Sequence, residues 1–418
     1  MAVFGVLSGE SSFAATTWTV QNCNDTGSGS LRDIVTNSAQ SGDTVDLSGL
    51  PGKCAMPAST ITLSSGQIIA NQTALSLQGP TPGTGSVTVA GSADRVFNHA
   101  GTGTFSITSL TIADGAYTNA AGTAYGGCIK SAGTVFLSGS IVTGCTATGL
   151  GVTKGGGIYS KGGLVLFRSA LTGNLAESTS LHSAGGGGYT LGNAEIKYST
   201  VDNDTAKSPH ALAGQFSNAG GIYANGSATI INSTISRNTA YQFGGLYAKS
   251  ADITNSTISG NSATANGAAV FLRASSTIYN STIAFNVGDY ALSLSASGPS
   301  ATLTLQSTIV AKNGTTDVGL FQGATLSGTQ NIIGSAKVPI PPNNSSVDPQ
   351  LGPLQWNGGR TETHALLPGS PAIGKGNDTS GATTDQRGRG YPRTTGLGAT
   401  VDIGAFQFDS IFADDFEG

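Results

Sequence analysis

The chain is predicted to be all-β and to fold as a single-stranded parallel β-helix, closed by a short N-terminal helical cap and a C-terminal wrap. Three observations predict it. A Gly-Gly-x-Tyr-like element recurs six times between Gly126 and Ile283, its fourth residues being Lys130, Tyr159, Tyr189, Tyr223, Tyr247 and Phe271. Twelve residues after each stands an aliphatic residue: Val142, Leu171, Val201, Ile235, Ile258 and Ile283, with Ile112 and Ile309 extending that column on both sides. The intervals along it run 30, 29, 30, 34, 23, 25 and 26, too short for independent domains and typical of stacked supersecondary units. Third, the runs between turns are short and β-rich, such as Ala228–Ile231 and Ser233–Ile235, with no competing helical period. A strand this short cannot bury its own apolar side, so coil must stack on coil, about 4.8 Å apart.

Taken along the chain, residues 1–14 read as a signal-peptide remnant, with apolar Ala2–Leu7 and Ser12-Phe13-Ala14 before Ala15 but no basic n-region. Residues 15–42 form an N-terminal cap. In it Ser30-Leu31-Arg32-Asp33 starts a short helix through Ser38, the serine capping and Leu31, Ile34 and Val35 on one side. Such a lid covers the open strand edges of the first coil. Residues 43–339 are the β-helix, whose early coils include Ile61–Leu63, Ala74–Leu77, Val87–Val89 and Phe105–Ile107. After Pro339 the texture turns to Pro, Asn and polar turns, so 340–408 are expected to form a wrap on the last coil, and 409–418 a tail.

Three residues past the aliphatic column stand Cys145, Asn174, Asp204, Asn238, Asn261 and Asn286, and a second column holds Asn232, Asn255 and Asn280. Asparagine tolerates turn conformations and can bond to its like one coil away, so both columns read as structural. The four cysteines fall as two sequence-local pairs without zinc-like spacing; Cys23 with Cys54 and Cys128 with Cys145 is preferred among three connectivities. That usage points to an oxidising compartment.

With 62 Gly in 418 residues, 10% charged and 7% aromatic side chains, the chain is neither a helical bundle nor a disordered polyelectrolyte. A net charge of −4 without basic clusters argues against nucleic acid. No run reaches the eighteen or so apolar residues of a membrane helix. One elongated body, a monomer with no cofactor and no metal, is expected.

Asn24–Arg32 with Gly42-Asp43-Thr44, Asp348–Leu354, Asn357–Leu366, Pro368–Ile373, Asp385–Gly388 and Asp402–Phe406 together resemble the choice-of-anchor Q domain group of secreted bacterial right-handed β-helix proteins. The Gly-Gly-x-Tyr and Asn columns are similar to repeats of polymorphic outer-membrane proteins. The resemblance spans nearly the whole chain. It implies a right-handed helix, export, and a secreted or outer-cell-surface location, in proteins often called adhesin-like. Ile411–Gly418 resembles a short tail of many exported bacterial proteins.

A candidate site follows from where the repeat varies. From aliphatic residue to the next fourth residue the distances are 17, 18, 22, 12 and 13, while the other half is constant at 12. All insertions therefore leave one corner and should build a wall or cleft, where solenoids place their sites. The two largest carry Glu177, His182, Lys207, His210 and Gln215, with Asp202 and Asp204 at their base and expected on one face. His182, Lys207, His210, Asp202 and Asp204 are the catalytic candidates; Glu177, Gln215 and the Tyr189, Tyr223 and Tyr247 column are candidate ligand contacts. A lyase would use a His or Lys base and a positive charge on the uronate, a hydrolase two carboxylates. Solvated loop residues and a stacked structural ladder account for the same residues and are preferred. Arg360, Glu362, His364, Asp385, Arg387 and Asp402 read as ion pairs of the wrap. The leading expectation is an exported adhesin-like protein that binds an extracellular polysaccharide or cell-surface glycan through its loop wall. A polysaccharide lyase, a glycoside hydrolase and a passive stalk are the alternatives.

Overall fold

The computed structural model describes residues 14–54, 59–209, 216–298, 300–377, 380–394 and 400–408. The chain starts with the cap. Ser30 Oγ accepts from Asp33 N at 3.2 Å and Asp33 Oδ2 accepts from Gly29 N at 3.0 Å, satisfying two donors of the first turn reciprocally. Helix Leu31–Asp33 then widens into a π-helical turn, Ile34–Ser38, which keeps Leu31, Ile34 and Val35 buried on the first coil. Gln72 Nε2 seals its end by donating to the Val35 and Ala39 carbonyls.

Every later segment to Ile333 is a turn of a parallel β-helix. Corresponding strands pair only with those one coil away, giving long parallel sheets of 12, 10 and 11 strands around one apolar core among the described residues. The coil Ile158–Thr190 shows the plan. Ile158–Ser160 belongs to an aromatic sheet, Leu164–Phe167 to the longest sheet, and Ala170–Thr172 to a third, outer-facing sheet. The aliphatic residues stack in register, Val142 on Leu171, Val201, Ile235, Ile258 and Ile283, all fully buried. The next partner is Val310, not Ile309 as the spacing suggests. Ile309 points outward and is buried by the wrap, so burial of both neighbours hides the inward position in the sequence.

The two asparagine columns differ in kind. Asn238, Asn261, Asn286 and Asn313 form a ladder inside the turn, each amide nitrogen donating to the next Oδ1 at 2.9 Å and to a carbonyl of the preceding coil. Cys145, the first member, is tied to Cys128, and Cys23 to Cys54, with Cα separations of 5.4 and 5.8 Å. Asn232, Asn255 and Asn280 instead sit at φ near +50° and turn their amides outward.

What they meet is the wrap, which does not merely close the last coil. It runs back over the third sheet. Asn232 Nδ2 donates to the Asp385 and Gln386 carbonyls, Asn255 Nδ2 to Thr384, and Asn280 to Ser380 Oγ. A two-stranded hairpin, Leu351–Gln355 with Thr363–Leu366, lies alongside, with His364 Nε2 2.8 Å from Ser259 Oγ. Beneath it Ile309, Ala311 and Ile332 of the sheet pack on Leu366, Ala372, Ile403 and Phe406.

The insertions do not make an open cleft. Each leaves the coil on one strand, as at Leu175–Ser178, and returns on another, as at Ser183–Ala184, and the stacked pairs make a two-layered fin. Small residues fill it: Ala147, Ala176, Thr153 and Ser183 are all fully buried. Ser183 Oγ ties the layers by donating to the Lys207 carbonyl. At Thr239–Gln242 one strand pairs with both columns, so the two layers merge there, and a single strand, Ser262–Ala265, continues the sheet. The return to the aromatic sheet needs glycine: Gly155 has φ +70°, and a Cβ there would lie 2.1 Å from the Ile158 carbonyl oxygen.

Candidate functional site

The expected site residues are dispersed. Glu177 and Lys207 are register partners on the fin and form an exposed ion pair at 2.8 Å. His182 lies on the fin's connection, its ring pushed toward neutrality by burial and by the Lys154 charge. His210 and Gln215 lie outside the described residues. Asp202 and Asp204 do not share a face, because Asn203 between them adopts φ +56° and turns the chain. Asp202 points outward to Arg237, whereas Asp204 is buried in the asparagine ladder.

Tyr189, Tyr223 and Tyr247 stand in a continuous stack from Tyr125 through Tyr159 to Phe271, with neighbouring ring centroids 4.2 to 5.7 Å apart and planes within 15° of parallel. Their faces cover one another. Burial pushes the Tyr189 phenol up to about 12 and Tyr223 further, which keeps these two hydroxyls neutral.

The structure assembles a different set of residues at the end of the wrap. Ser109, Gly139, Arg168, Tyr198, Asn232, Asn255, Asn280 and Ser307 form one column of left-handed turns, φ +48° to +58°. From Asn232 onward this column and the adjacent sheet are covered by the wrap, so that Thr234, Thr257 and Thr282 are at most 1% exposed. Before it they are bare, and Ile141 of the same sheet is 41% exposed.

The wrap's margin and the bare sheet enclose a groove. One part, about 400 Å³, is lined by Ile141, Arg168, Tyr198, Arg237, Trp356 and Arg360, among others. A second, about 870 Å³, shares Arg168, Tyr198 and Arg360 and adds Arg387, Arg389 and Gly390. Arg237 bridges Asp202 at 2.7 Å and Glu362 at 2.5 Å, occupying both carboxylates. Arg387 is likewise held by buried Asp385 at 2.7 Å. Arg168, Arg360 and Arg389 are exposed and make no ion pair among the described residues. The Asp202, Arg237 and Glu362 group carries −1 and these three arginines +3, a local +2 in a chain whose net charge is −4. Beside them Trp356 exposes 65% of its surface.

Such a groove offers planar donors for carboxylate or sulfate and an aromatic face. Among the described residues it offers no imidazole. His99 and His364 are buried and hydrogen-bonded at both ring nitrogens, to Ser131 and Gln72 and to Ser259 and Gly352 respectively. Sequence reasoning set Arg360 aside as an ion-pair residue and did not reach Arg168, Tyr198 or Trp356. A signal was present: stepping back one repeat at a time from Asn280, Asn255 and Asn232 lands on Tyr198 and Arg168, where the column stops being asparagine.

Residues 185–351 match the family model described as a right handed beta helix region. The fold is a right-handed parallel β-helix. Among curated proteins and among solved structures nothing matches the chain. The two disulfides fit an extracellular location, and among the described residues no helix is long and apolar enough to cross a membrane.

Proposed function

We propose that this β-helix is an exported, surface or extracellular protein that binds an acidic polysaccharide, laid along the helix axis in the groove beside the wrap. The supporting observation is the trio of exposed arginines, Arg168, Arg360 and Arg389, which make no ion pair among the described residues and lie next to Trp356 on the bare end of a track the wrap otherwise covers. Arginine forks match carboxylate and sulfate geometry bidentately, and the tryptophan face suits a sugar ring. A pyranose unit is about as long as the coil spacing of about 4.8 Å, so successive sugars would meet successive coils.

Titrating the protein with a uronate polymer and with neutral dextran tests this. Binding to the uronate polymer alone is expected, weakening with salt as exposed charges are screened. Arg168→Ala with Arg360→Ala should cost about 2 kcal/mol or more, roughly thirtyfold in affinity, as charge-assisted hydrogen bonds are lost. Equal binding of dextran, or affinity untouched by the double substitution, would sink the reading. Unsaturated product absorbing in the same titration would turn it toward a lyase.

A further inference from the structure

Three adjoining depressions line the bare track beside the wrap, and their chemistry changes in one direction. The part of about 870 Å³ is lined by Arg168, Arg360, Arg387 and Arg389 and, among the described residues, by no carboxylate. It meets the part of about 400 Å³ at Arg168, Tyr198 and Arg360. There Asp202 and Glu362 enter, both held by Arg237, together with Trp356 and Ile141. Past Gly139 and Ile141 a third depression, about 210 Å³, is lined by Pro80, Pro82, Val87 and Leu110 and has no charged side chain among the described residues.

Register accounts for the change. Ile141, Ala170 and Thr200 are partners on successive strands, and Gly139, Arg168 and Tyr198 hold the same place in successive turns. One coil back from Arg168 and Ala170, the cation has gone and an isoleucine 41% exposed stands at the outward strand position.

We infer that the acidic polysaccharide taken here is one in which the sugar next to the acidic unit bears methyl groups, as O-acetyl or 6-deoxy substituents. The acid would lie on Arg168, Arg360 and Arg389, and the methyl groups on Ile141 and the Trp356 face. This rests on the proposed function and narrows it to a class of ligand. In a plain uronate polymer the next carboxylate would meet the Asp202, Arg237 and Glu362 group, whose net charge is −1. The one after would enter a depression with no cation to pair it. A neutral, methyl-bearing sugar avoids both costs. Each buried methyl is worth about fourfold in affinity, so one on either side of Ile141 gives about fifteenfold.

The test titrates three polymers into the full chain: an O-acetylated uronate polymer, the same preparation after mild alkaline deacetylation, and a polymer alternating a uronate with a 6-deoxyhexose. The acetylated or the alternating polymer should bind about fifteenfold more tightly than the deacetylated one, and which of them does so identifies the source of the methyl groups. Ile141→Asn should cut that ratio at least fourfold and leave the affinity for the deacetylated polymer unchanged, which also shows that the variant is folded. Equal or tighter binding of the deacetylated polymer than of both others overturns the inference and leaves polysaccharide binding standing. A preference that survives Ile141→Asn undiminished also overturns it. Binding of none of the three sinks the polysaccharide reading and the inference with it.

Discussion

Asp204 shows how one residue's chemistry is set by its place in a column. Each neighbouring asparagine donates its amide nitrogen to the next residue of the ladder and to a carbonyl of the coil before. Asp204 Oδ1 accepts from Asn174 N and Nδ2, but Oδ2 stands where its neighbours have a donor and finds no partner among the described residues. Burial pushes its carboxyl well above the usual range. Because the folded pKa is raised, stability is fully present below the unfolded value near 3.8 and is lost as pH rises through the folded pKa. Asp204→Asn supplies the missing donor. It should raise stability at neutral pH by about 1–3 kcal/mol and flatten the loss toward alkaline pH, which denaturant titrations at pH 4, 7 and 9 would check. A variant less stable than the parent at pH 9 would contradict the account.

The aspartate was visible in the sequence as a break in the asparagine column; its isolation from Asp202 was not. That depends on the left-handed conformation of Asn203, which a two-residue alternation cannot anticipate. Residue spacing found Tyr159, Tyr189, Tyr223 and Tyr247 in file, since the register follows directly from the repeat.

At the scale of elements the wrap decides most. Its hydrogen bonds come from side chains that look alike in sequence to the interior ladder, yet face the opposite way. Asn255 is the hinge of this contact: its amide donates to the Thr384 carbonyl and its Oδ1 accepts from Arg393 Nη2, a side chain 1% exposed. Asn255→Gly keeps the left-handed turn but removes the amide. It should cost about 2 kcal/mol, seen as faster amide exchange and proteolysis in 380–408 while the coils keep their protection. Asn255→Ala adds the cost of a left-handed alanine, about 1–2 kcal/mol more. Equal exchange in both variants and the parent would show that the wrap is held by its apolar contacts alone.

The fin is the other element whose shape sequence alone left open. Unequal insertion lengths located its corner, because only that half of the repeat varies. Whether the insertions gape or pair depends on side-chain size. Ala147, Ala176, Thr153 and Ser183 let the outgoing and returning strands approach until hydroxyl and carbonyl bond across the gap. Bulky side chains at those positions would have held the strands apart.

For the whole molecule, each coil touches only its neighbours, so damage should stay local. The Cys128–Cys145 bridge closes a 17-residue loop, and its loss should cost about 3 kcal/mol. Reduction should therefore release amide protection in coils around residues 97–145 before those around 246–311, read by exchange with and without reductant. Uniform loss along the chain would instead mean that the solenoid unfolds as one unit.

The repeat period, its β-rich texture and the aliphatic and aromatic columns determined the solenoid, its register and its core, because parallel stacking makes sequence intervals and spatial neighbours the same thing. The return path of residues 340–408 has no period. Only tertiary packing could decide that it covers the turn column from Ser307 back to Asn232 and stops there, leaving Arg168 and Tyr198 bare beside Arg360 and Trp356. The groove belongs to two stretches of chain, one ending at Arg237 and the other beginning at Trp356, more than 100 residues apart, and nothing in either stretch alone specifies that they meet.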